Sequence, residues 1–302
     1  MNLARITLSM FAIVLLLVSP ALAQVKLEQK LVPGQSTKSK ETVKATQSLK
    51  IAEQTIDTKS DTTMVHKMSV QDGGGGLLKI GFEFVSVASR VELPGNQVVE
   101  FDSTKPAPAE ETDPLAKSVR DVFTSMIGSK IEATVSGGKV IVVDGVTEKM
   151  PVTADEMKVE VQQRLSLFPG TPLKPGDNWE RTEELHIGAG QTLTFQRRYE
   201  YVGTTRFNPN DATSKEVDEI KATDLSVLYT IRQNPQLPLT VKKSDLKIDE
   251  SSYTLVFDRE LGRVVKGAGK SHIVGELDLA IAGQELKGIL DLLLESTNEE
   301  VE

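Results

Sequence analysis

The stretch Leu78–Phe84 reads LKIGFEF and shows the pattern that decides the fold of this 302-residue chain. Its large apolar side chains occupy every second position, and Lys, Gly and Glu lie between them. Successive side chains of a β-strand point to opposite faces, so this alternation predicts a strand with one apolar and one polar face. Such strands are typical of antiparallel sheets that have one side facing water.

The same alternation recurs through the rest of the chain, notably in Leu193–Tyr201, Leu225–Ile231 and Tyr253–Phe257. Gly137-Gly138 joins two apolar stretches, and paired glycines suit the positive φ angles of a tight hairpin turn. Leu277–Ile281 and Leu286–Leu294 predict a closing hairpin near the C-terminus, with a helix over 285–295 as the less favoured alternative. The Thr- and Ser-rich run Ser36–Thr63 has few large apolar residues, and we expect it to form poorly buried edge strands.

Two segments have a helical pattern instead. Apolar residues between Leu115 and Ile127 recur with a period of three to four, and they predict a helix over about 113–128. A second helix is expected from about Ala154 to Leu165, because Thr153 and Glu156 form a capping-box sequence.

The predicted fold class is mainly β (α+β): a curved antiparallel sheet or open β-barrel-like body with one or two packed helices. Pro-Gly turns at Pro33-Gly34 and Pro175-Gly176, and a Phe-Asp pair later in each half, suggest an internal repeat. We therefore expect two related β-units packed as one body. The first covers residues 24–170 with the helix at about 113–128 inserted, and the second covers residues 171–302.

The segment Phe168–Trp179 reads FPGTPLKPGDNW. It resembles a signature of an uncharacterised family of exported bacterial, planctomycete-type proteins with the pattern FPG-x-P-x-KPGD-x-W. The resemblance implies an exported β-rich fold over most of the chain and implies no known activity. The residues also have a structural explanation: Pro and Gly set a turn, Asp177 bonds its backbone, and Trp179 anchors the next strand. Ligand stacking by Trp179 is the alternative.

The N-terminus has the features of a secretory signal. Arg5 precedes the uncharged run Ile6–Val18, which at 13 residues is shorter than the roughly 20 that span a bilayer. Ser19-Pro20 and then Ala21–Ala23 predict cleavage after Ala23. We expect an exported protein, periplasmic or extracellular, that is not an integral membrane protein after cleavage.

Composition excludes several classes of function. With 35 Lys and Arg against 43 Asp and Glu, the net charge of −8 argues against nucleic acid as a partner. The absence of cysteine excludes disulfides, thiolate nucleophiles and iron–sulfur clusters.

No catalytic motif is complete. Gly262–Ser271 ends like a phosphate-binding loop, but Val264 stands where that motif requires Gly. His66, His186 and His272 lack metal-ligand spacing. We therefore expect no catalytic residue, no metal, no cofactor and no enzymatic activity.

The favoured hypothesis is a non-enzymatic cell-envelope protein that binds a lipid or another apolar ligand on the curved sheet. The alternative is a structural or interaction module that docks on another envelope component, such as an envelope protein, through a sheet edge or through its acidic surface. Its distinguishing feature would be a long unprotected edge within Thr37–Thr63, and a hydrolase with an unrecognised site is less favoured. A ligand-sized cavity would favour the first hypothesis. The predicted ligand-lining residues are Phe82, Phe84, Val119, Phe123, Met126, Phe195 and Tyr199.

Overall fold

The computed structural model describes residues 24–302 except 96, 107–113, 149, 151, 189, 212, 233–238, 282–283 and 302. The predicted signal segment lies outside the described residues. In the described part, twelve strands form one antiparallel sheet and two helices pack against it, which confirms the predicted mainly β, curved-sheet body. The strands are β1 Ser36–Ile51, β2 Gln54–Gly74, β3 Leu77–Leu93, β4 Gln97–Asp102, β5 Lys130–Ser136, β6 Lys139–Asp144, β7 Asn178–Gly188, β8 Gln191–Arg206, β9 Glu216–Ile231, β10 Leu239–Asp258, β11 Arg263–Ile281 and β12 Gln284–Val301. The helices are α1 Pro114–Met126 and α2 Ala154–Leu165.

The first and last strands, β1 and β12, pair with each other in the middle of the sheet. The spatial order is β6-β5-β3-β2-β1-β12-β11-β10-β9-β8-β7, and β4 pairs with the remaining part of β3. From β1 the chain runs outward to β6, crosses through α2, and returns inward from β7 to β12. We call the elements from β1 to α2 the N-half and the strands from β7 to β12 the C-half.

The prediction that Ser36–Thr63 forms edge strands is wrong. β1 pairs along its length with both β2 and β12, so this run lies at the centre of the sheet. Its weak apolar character arises because Lys, Thr and Ser occupy the face that points to solvent, while the opposite face is only half buried. The hypothesis of an interaction module expected a long free edge within Thr37–Thr63, and this run does not form one.

The sheet curls until its two edges face each other. At about 4.8 Å between neighbouring strands, the ten steps from β6 to β7 would span about 48 Å in a flat sheet. Helix α2 has 12 residues, so it is only about 18 Å long, yet it contacts both β6 and β7. The edges must therefore approach each other, and α2 fills the seam between them.

Two neighbouring glutamines of α2 bond to the two edges. Gln162 accepts a hydrogen bond from Val140 N at 2.9 Å and donates one to Gly138 O at 3.2 Å, on the β6 side. Gln163 accepts from Glu184 N at 2.5 Å and donates to Glu184 O at 3.0 Å, on the β7 side. These bonds use edge groups that would otherwise need water or another strand.

The local predictions agree with the structure. α2 begins with the predicted capping box, in which Thr153 and Glu156 bond each other's backbone N–H. Gly137 and Gly138 turn the β5–β6 hairpin with φ of 53° and 78°. β11 and β12 pair as the predicted closing hairpin, although residues 282–283 at its turn lie outside the described part.

The two Pro-Gly turns make matching hydrogen bonds. Gly34 N donates to Val70 O, and Gly176 N donates to Tyr201 O, each at 2.8 Å. In return, the amides of those two partners donate to the residue after each glycine, each at 2.9 Å. The division into two related units stays a prediction, and these matching turns are a feature that a duplication would leave.

Candidate functional site: the inner face of the curled sheet

One face of the sheet, the inner face, meets α2 and carries the buried apolar side chains. Directly paired residues of neighbouring strands point to the same side of the sheet. The pairing register therefore identifies which residues of each strand point to the inner face. In the C-half this face is dry. Its larger cluster is at most 8% exposed and comprises Leu193, Phe195, Val227, Ile273, Leu277, Leu279, Leu290 and Leu292.

A second dry cluster lies further along the same strands. It includes Tyr199, Tyr201, Ile220 and Phe257, together with Leu27 from the segment before β1. Between the two clusters the C-half inner face is polar, and the charges there are buried.

Arg197 is the centre of this buried polar network. Its Nε lies 2.6 Å from Asp224 Oδ1, and its second guanidinium nitrogen lies 3.0 Å from Glu183 Oε2. Tyr253 Oη and Ser251 Oγ each donate to Asp224 Oδ2 at 3.0 Å, and burial raises the pKa of Tyr253, which keeps its hydroxyl a donor. Arginine and carboxylate satisfy each other here, so the network has a structural role and leaves no charge for a ligand.

The N-half inner face is different, because its central strands are only half buried. Inner-facing positions of β1 from Glu41 to Ile51 and of β2 from Ile56 to His66 are all partly exposed. Among the described residues, no buried cluster packs on Val43, Ala45, Ile56 or Met64, whereas Leu49 and Ile51 pack against the larger C-half cluster. We call this surface the floor; it comprises Val43, Ala45, Gln47, Leu49 and Ile51 of β1 and Ile56, Thr58, Ser60, Thr62 and Met64 of β2.

Helix α1 borders the floor. Thr62 bonds Ser89 through their hydroxyls at 2.8 Å, and Ser89 pairs with Phe101 of β4. Phe101 stacks on Phe123 of α1 with 5.4 Å between ring centroids. These contacts place α1 on β4, beside the floor.

The structure divides the seven predicted lining residues between the halves. Phe82 and Phe84 of β3 are half buried beside the cluster under α2, and Val119, Phe123 and Met126 of α1 are half buried near the floor. Phe195 and Tyr199 are only 2% and 3% exposed and belong to separate clusters of the C-half, so the structure does not bring them to the other five.

A group of four titratable side chains, which we call the polar pole, lies at one end of the floor: Glu41, His66, Glu160 and Arg164. Leu165 of α2 packs in the same cluster as Met68 of β2, which places the end of α2 over the inner face beside His66. Arg164 bonds Glu160 at 2.7 Å, and their side chains are 48% and 39% exposed, so water reaches this part of the interior.

The surroundings shift two pKa values in the polar pole. Burial lowers the pKa of His66 to about 4, and the positive charge of Arg164 acts in the same direction, so the ring is neutral at pH 7. Burial raises the pKa of Glu41 above its ordinary value, although Arg164 opposes that shift. The sequence pattern did not indicate the pole or the floor, because the weakly apolar run Ser36–Thr63 predicts edge strands.

The remaining histidines lie elsewhere. His272 is on the outer face, where Nδ1 lies 2.9 Å from Asp249 and Nε2 lies 2.9 Å from Asp291. His186 contacts Thr192 at 3.0 Å near the β7 edge. Among the described residues, no group of three or more His, Asp or Glu side chains could hold a metal ion. No helix of that part is both long and apolar enough to cross a membrane.

The Phe168–Trp179 motif has the structural role expected for it. Trp179 Nε1 donates to Leu167 O at 3.0 Å, and the indole stacks on Tyr199 with 5.3 Å between centroids. Phe168 packs edge-on against Phe257 at 4.7 Å. Asp177 accepts a hydrogen bond from Lys174 N at 3.0 Å and closes the turn.

No family model and no curated protein matches the chain. Among solved structures, it is similar to a lipovitellin described for its lipid–protein interactions, with 10% identity and a TM-score of 0.46 over 90% of this chain. The chain spans about a quarter (26%) of the length of that lipovitellin chain. It is also similar to DynF of the dynemicin biosynthesis pathway of Micromonospora chersina (9% identity, TM-score 0.21, covering 92% of this chain and 85% of that one). A DUF1329 family protein from Desulfovibrio piger follows at 6% identity and TM-score 0.14, with 86% and 85% covered. Likenesses this distant carry no argument about what the chain binds.

Proposed function

We propose that this chain is an exported, non-enzymatic binding protein of the cell envelope that holds a lipid or another apolar ligand on the floor. The observation that carries the proposal is the partial exposure of apolar side chains that face the inside of the curled sheet and that no buried cluster covers, such as Val43, Ile56 and Met64. The signal-like segment of residues 1–23 and the resemblance of Phe168–Trp179 to an exported family support the proposed location.

Apolar surface that remains wet inside a folded protein is a source of binding free energy. Covering about 200 Å² of such surface would contribute about 5 kcal/mol, before the cost of immobilising the ligand. The floor is also long enough for a hydrocarbon chain. The eight steps from Val43 to Ile51 extend about 27 Å, whereas one leaflet of a bilayer core is about 15 Å thick.

The docking of another protein on a sheet edge is less well supported. The β6 and β7 edges face each other across the seam, and Gln162, Gln163 and Lys158 of α2 bond to backbone groups of those edges. Edge strands covered in this way are protected from pairing with another chain.

The test is a titration with N-phenylnaphthylamine, an uncharged dye that fluoresces in apolar surroundings. We expect saturable binding to the wild-type chain. Met64→Glu places a charge on the floor and should weaken binding at least tenfold. The matched control is Ile289→Glu, because Ile289 is an apolar residue of the outer face that is 54% exposed. Absence of saturable binding, or equal losses in both variants, would contradict the proposal.

Native mass spectrometry of protein from the envelope of its own host provides an independent readout. A stoichiometric extractable lipid or other small apolar molecule would support the proposed function. A clean mass without ligand, together with a protein that copurifies, would favour the interaction module instead.

A further inference from the structure

The polar pole adjoins the floor directly. Glu41 pairs across the strands with Met64 of the floor, and His66 pairs with Phe84. Both pairs face inward, so charged and apolar side chains meet at one end of the ligand surface that we propose. A ligand lying on the floor would place one of its ends beside these charges.

Arg164 can offer its charge to an anionic group. Its carboxylate partner is Glu160, four residues earlier on the same helix, and both side chains are about half exposed. Exposed pairs of this kind on helix surfaces are weak. A ligand anion can therefore share or replace Glu160 at little cost.

Glu41 and Asn298 offer acceptors. Among the described residues, no donor or cation lies within bonding distance of the Glu41 carboxylate, which is half buried. Asn298 pairs with Glu41 across β1 and β12, and its buried Oδ1 has no hydrogen-bond partner. Two neighbouring acceptors without donors favour a ligand group that carries N–H donors and a positive charge.

We propose that the polar pole binds the head group of a zwitterionic amphiphile of the phosphoethanolamine type, whose hydrocarbon chain lies on the floor. The anionic group contacts Arg164, and the ammonium contacts Glu41 and Asn298 Oδ1. This inference rests on the proposed function, because it assigns a head group to the ligand of the same surface.

The separate charges of the polar pole suit a zwitterion, because Arg164 can pair with its anionic group and Glu41 with its cationic group. A cation beside Glu41 would favour its ionised form, and Glu41, Glu160 and Arg164 then sum to one negative charge, while His66 is neutral at pH 7. A purely anionic head group would add charge of the same sign in a partly desolvated space. An uncharged hydroxyl head group could donate to the Glu41 and Asn298 oxygens, but it has no cation for Glu41 and no anion for Arg164.

The experiment compares three lipids with identical acyl chains as competitors of bound N-phenylnaphthylamine: phosphatidylethanolamine, phosphatidylglycerol and diacylglycerol. We expect phosphatidylethanolamine to displace the dye at concentrations at least tenfold lower than the other two. Glu41→Gln and Arg164→Met should each reduce this preference to less than threefold while dye binding persists. Glu295→Gln, on the outer face of β12, is the matched control and should keep the full preference.

The outcomes separate this inference from the proposed function. Equal displacement by all three lipids, with dye binding intact, would overturn the head-group assignment and leave the floor as a site for any apolar chain. A preference for phosphatidylglycerol would also overturn it. Failure of the dye and of every lipid to bind would overturn both proposals, and urea unfolding of each variant would show whether the fold is retained.

Discussion

The two halves of the sheet use the same strand alternation in different ways. In the C-half, inner-facing Leu and Ile are fully buried, and the charges of Arg197, Asp224 and Glu183 satisfy each other. In the N-half, the inner faces of β1 and β2 stay half exposed, and Arg164 lies in a wet space. The difference indicates that the C-half is buried across its strands, whereas the N-half is buried mainly under α2 and keeps, on β1 and β2, apolar surface that a ligand can cover.

The largest expected effect separates two arginines. Arg197→Met would leave Asp224, which is 4% exposed, without a cation and Glu183 with Arg181 alone, and should lower the free energy of unfolding by about 3–5 kcal/mol. Arg164→Met removes only a half-exposed pair and should cost less than about 1 kcal/mol. Urea unfolding measures both values, and similar costs at the two positions would remove the contrast between the halves.

Apolar truncations test the same contrast. Leu277→Ala should cost about 2–4 kcal/mol, because Leu277 is 1% exposed in the C-half cluster and the change leaves a cavity. Met64→Ala on the half-buried floor should cost about 1 kcal/mol or less. If Met64→Ala proves as costly as Leu277→Ala in thermal or urea unfolding, the floor is part of a closed core.

The contact between α2 and the β7 edge should weaken when Gln163 is replaced. Gln163→Ala removes both hydrogen bonds to Glu184 and should cost about 1–3 kcal/mol. We also expect faster hydrogen exchange at the Glu184 amide. The control is Gln196→Ala on the neighbouring strand β8. It removes an exposed hydrogen bond to Thr182 of β7 on the outer face. Unchanged exchange at Glu184 would show that α2 does not hold the β7 edge.

His66 should make the protein less stable in mild acid. Its folded pKa of about 4 lies below the unfolded value of about 6.5, so the unfolded chain binds the proton first as the pH falls. Stability should decline by about 1–2 kcal/mol between pH 7 and pH 5, and His66→Gln should remove that part of the decline. An identical pH profile for wild type and variant would contradict the burial of this ring.

The smallest effect is expected at His272, with the opposite sign. Hydrogen bonds to Asp291 and Asp249 raise its pKa, so its contribution is complete below about pH 6.5 and is lost as the pH rises through the raised value. Because the carboxylates are mostly exposed, the contribution should stay below about 1 kcal/mol. Comparison of wild type with His272→Gln across this pH range measures it, and a contribution that grows with rising pH would show that the bridge is absent.

Local sequence patterns predicted the local structure. The alternation in Leu78–Phe84, the capping box at Thr153 and the paired glycines at 137–138 each depend on neighbours within a few residues. They identified β3, α2 and the β5–β6 hairpin without knowledge of the remaining chain. The overall class of curved antiparallel sheet followed from the number of such segments.

The pairing of strands that are distant in the sequence, and the curling of the sheet, could not be predicted from local patterns. The pairing of β1 with β12 joins residues more than 230 positions apart, such as Glu41 and Asn298, and no local pattern in Ser36–Thr63 reveals it. The polar pole combines β1, β2 and α2, so it exists only once the sheet has curled. Phe195 and Tyr199 have the same alternation as Phe82 and Phe84, and only the packing of the two halves separates buried from accessible aromatics.

The most direct test of the central claim is photo-crosslinking with a diazirine-bearing long-chain fatty acid, followed by peptide mass spectrometry. If the floor binds the ligand, we expect the label on peptides of β1, β2 and α1, and we expect unlabelled lipid to compete for these positions. Peptides of β11 and of the buried part of β12 should remain unlabelled. Label confined to exposed apolar residues of the outer face, such as Ile289, or spread evenly over both halves, would contradict an open ligand surface in the N-half.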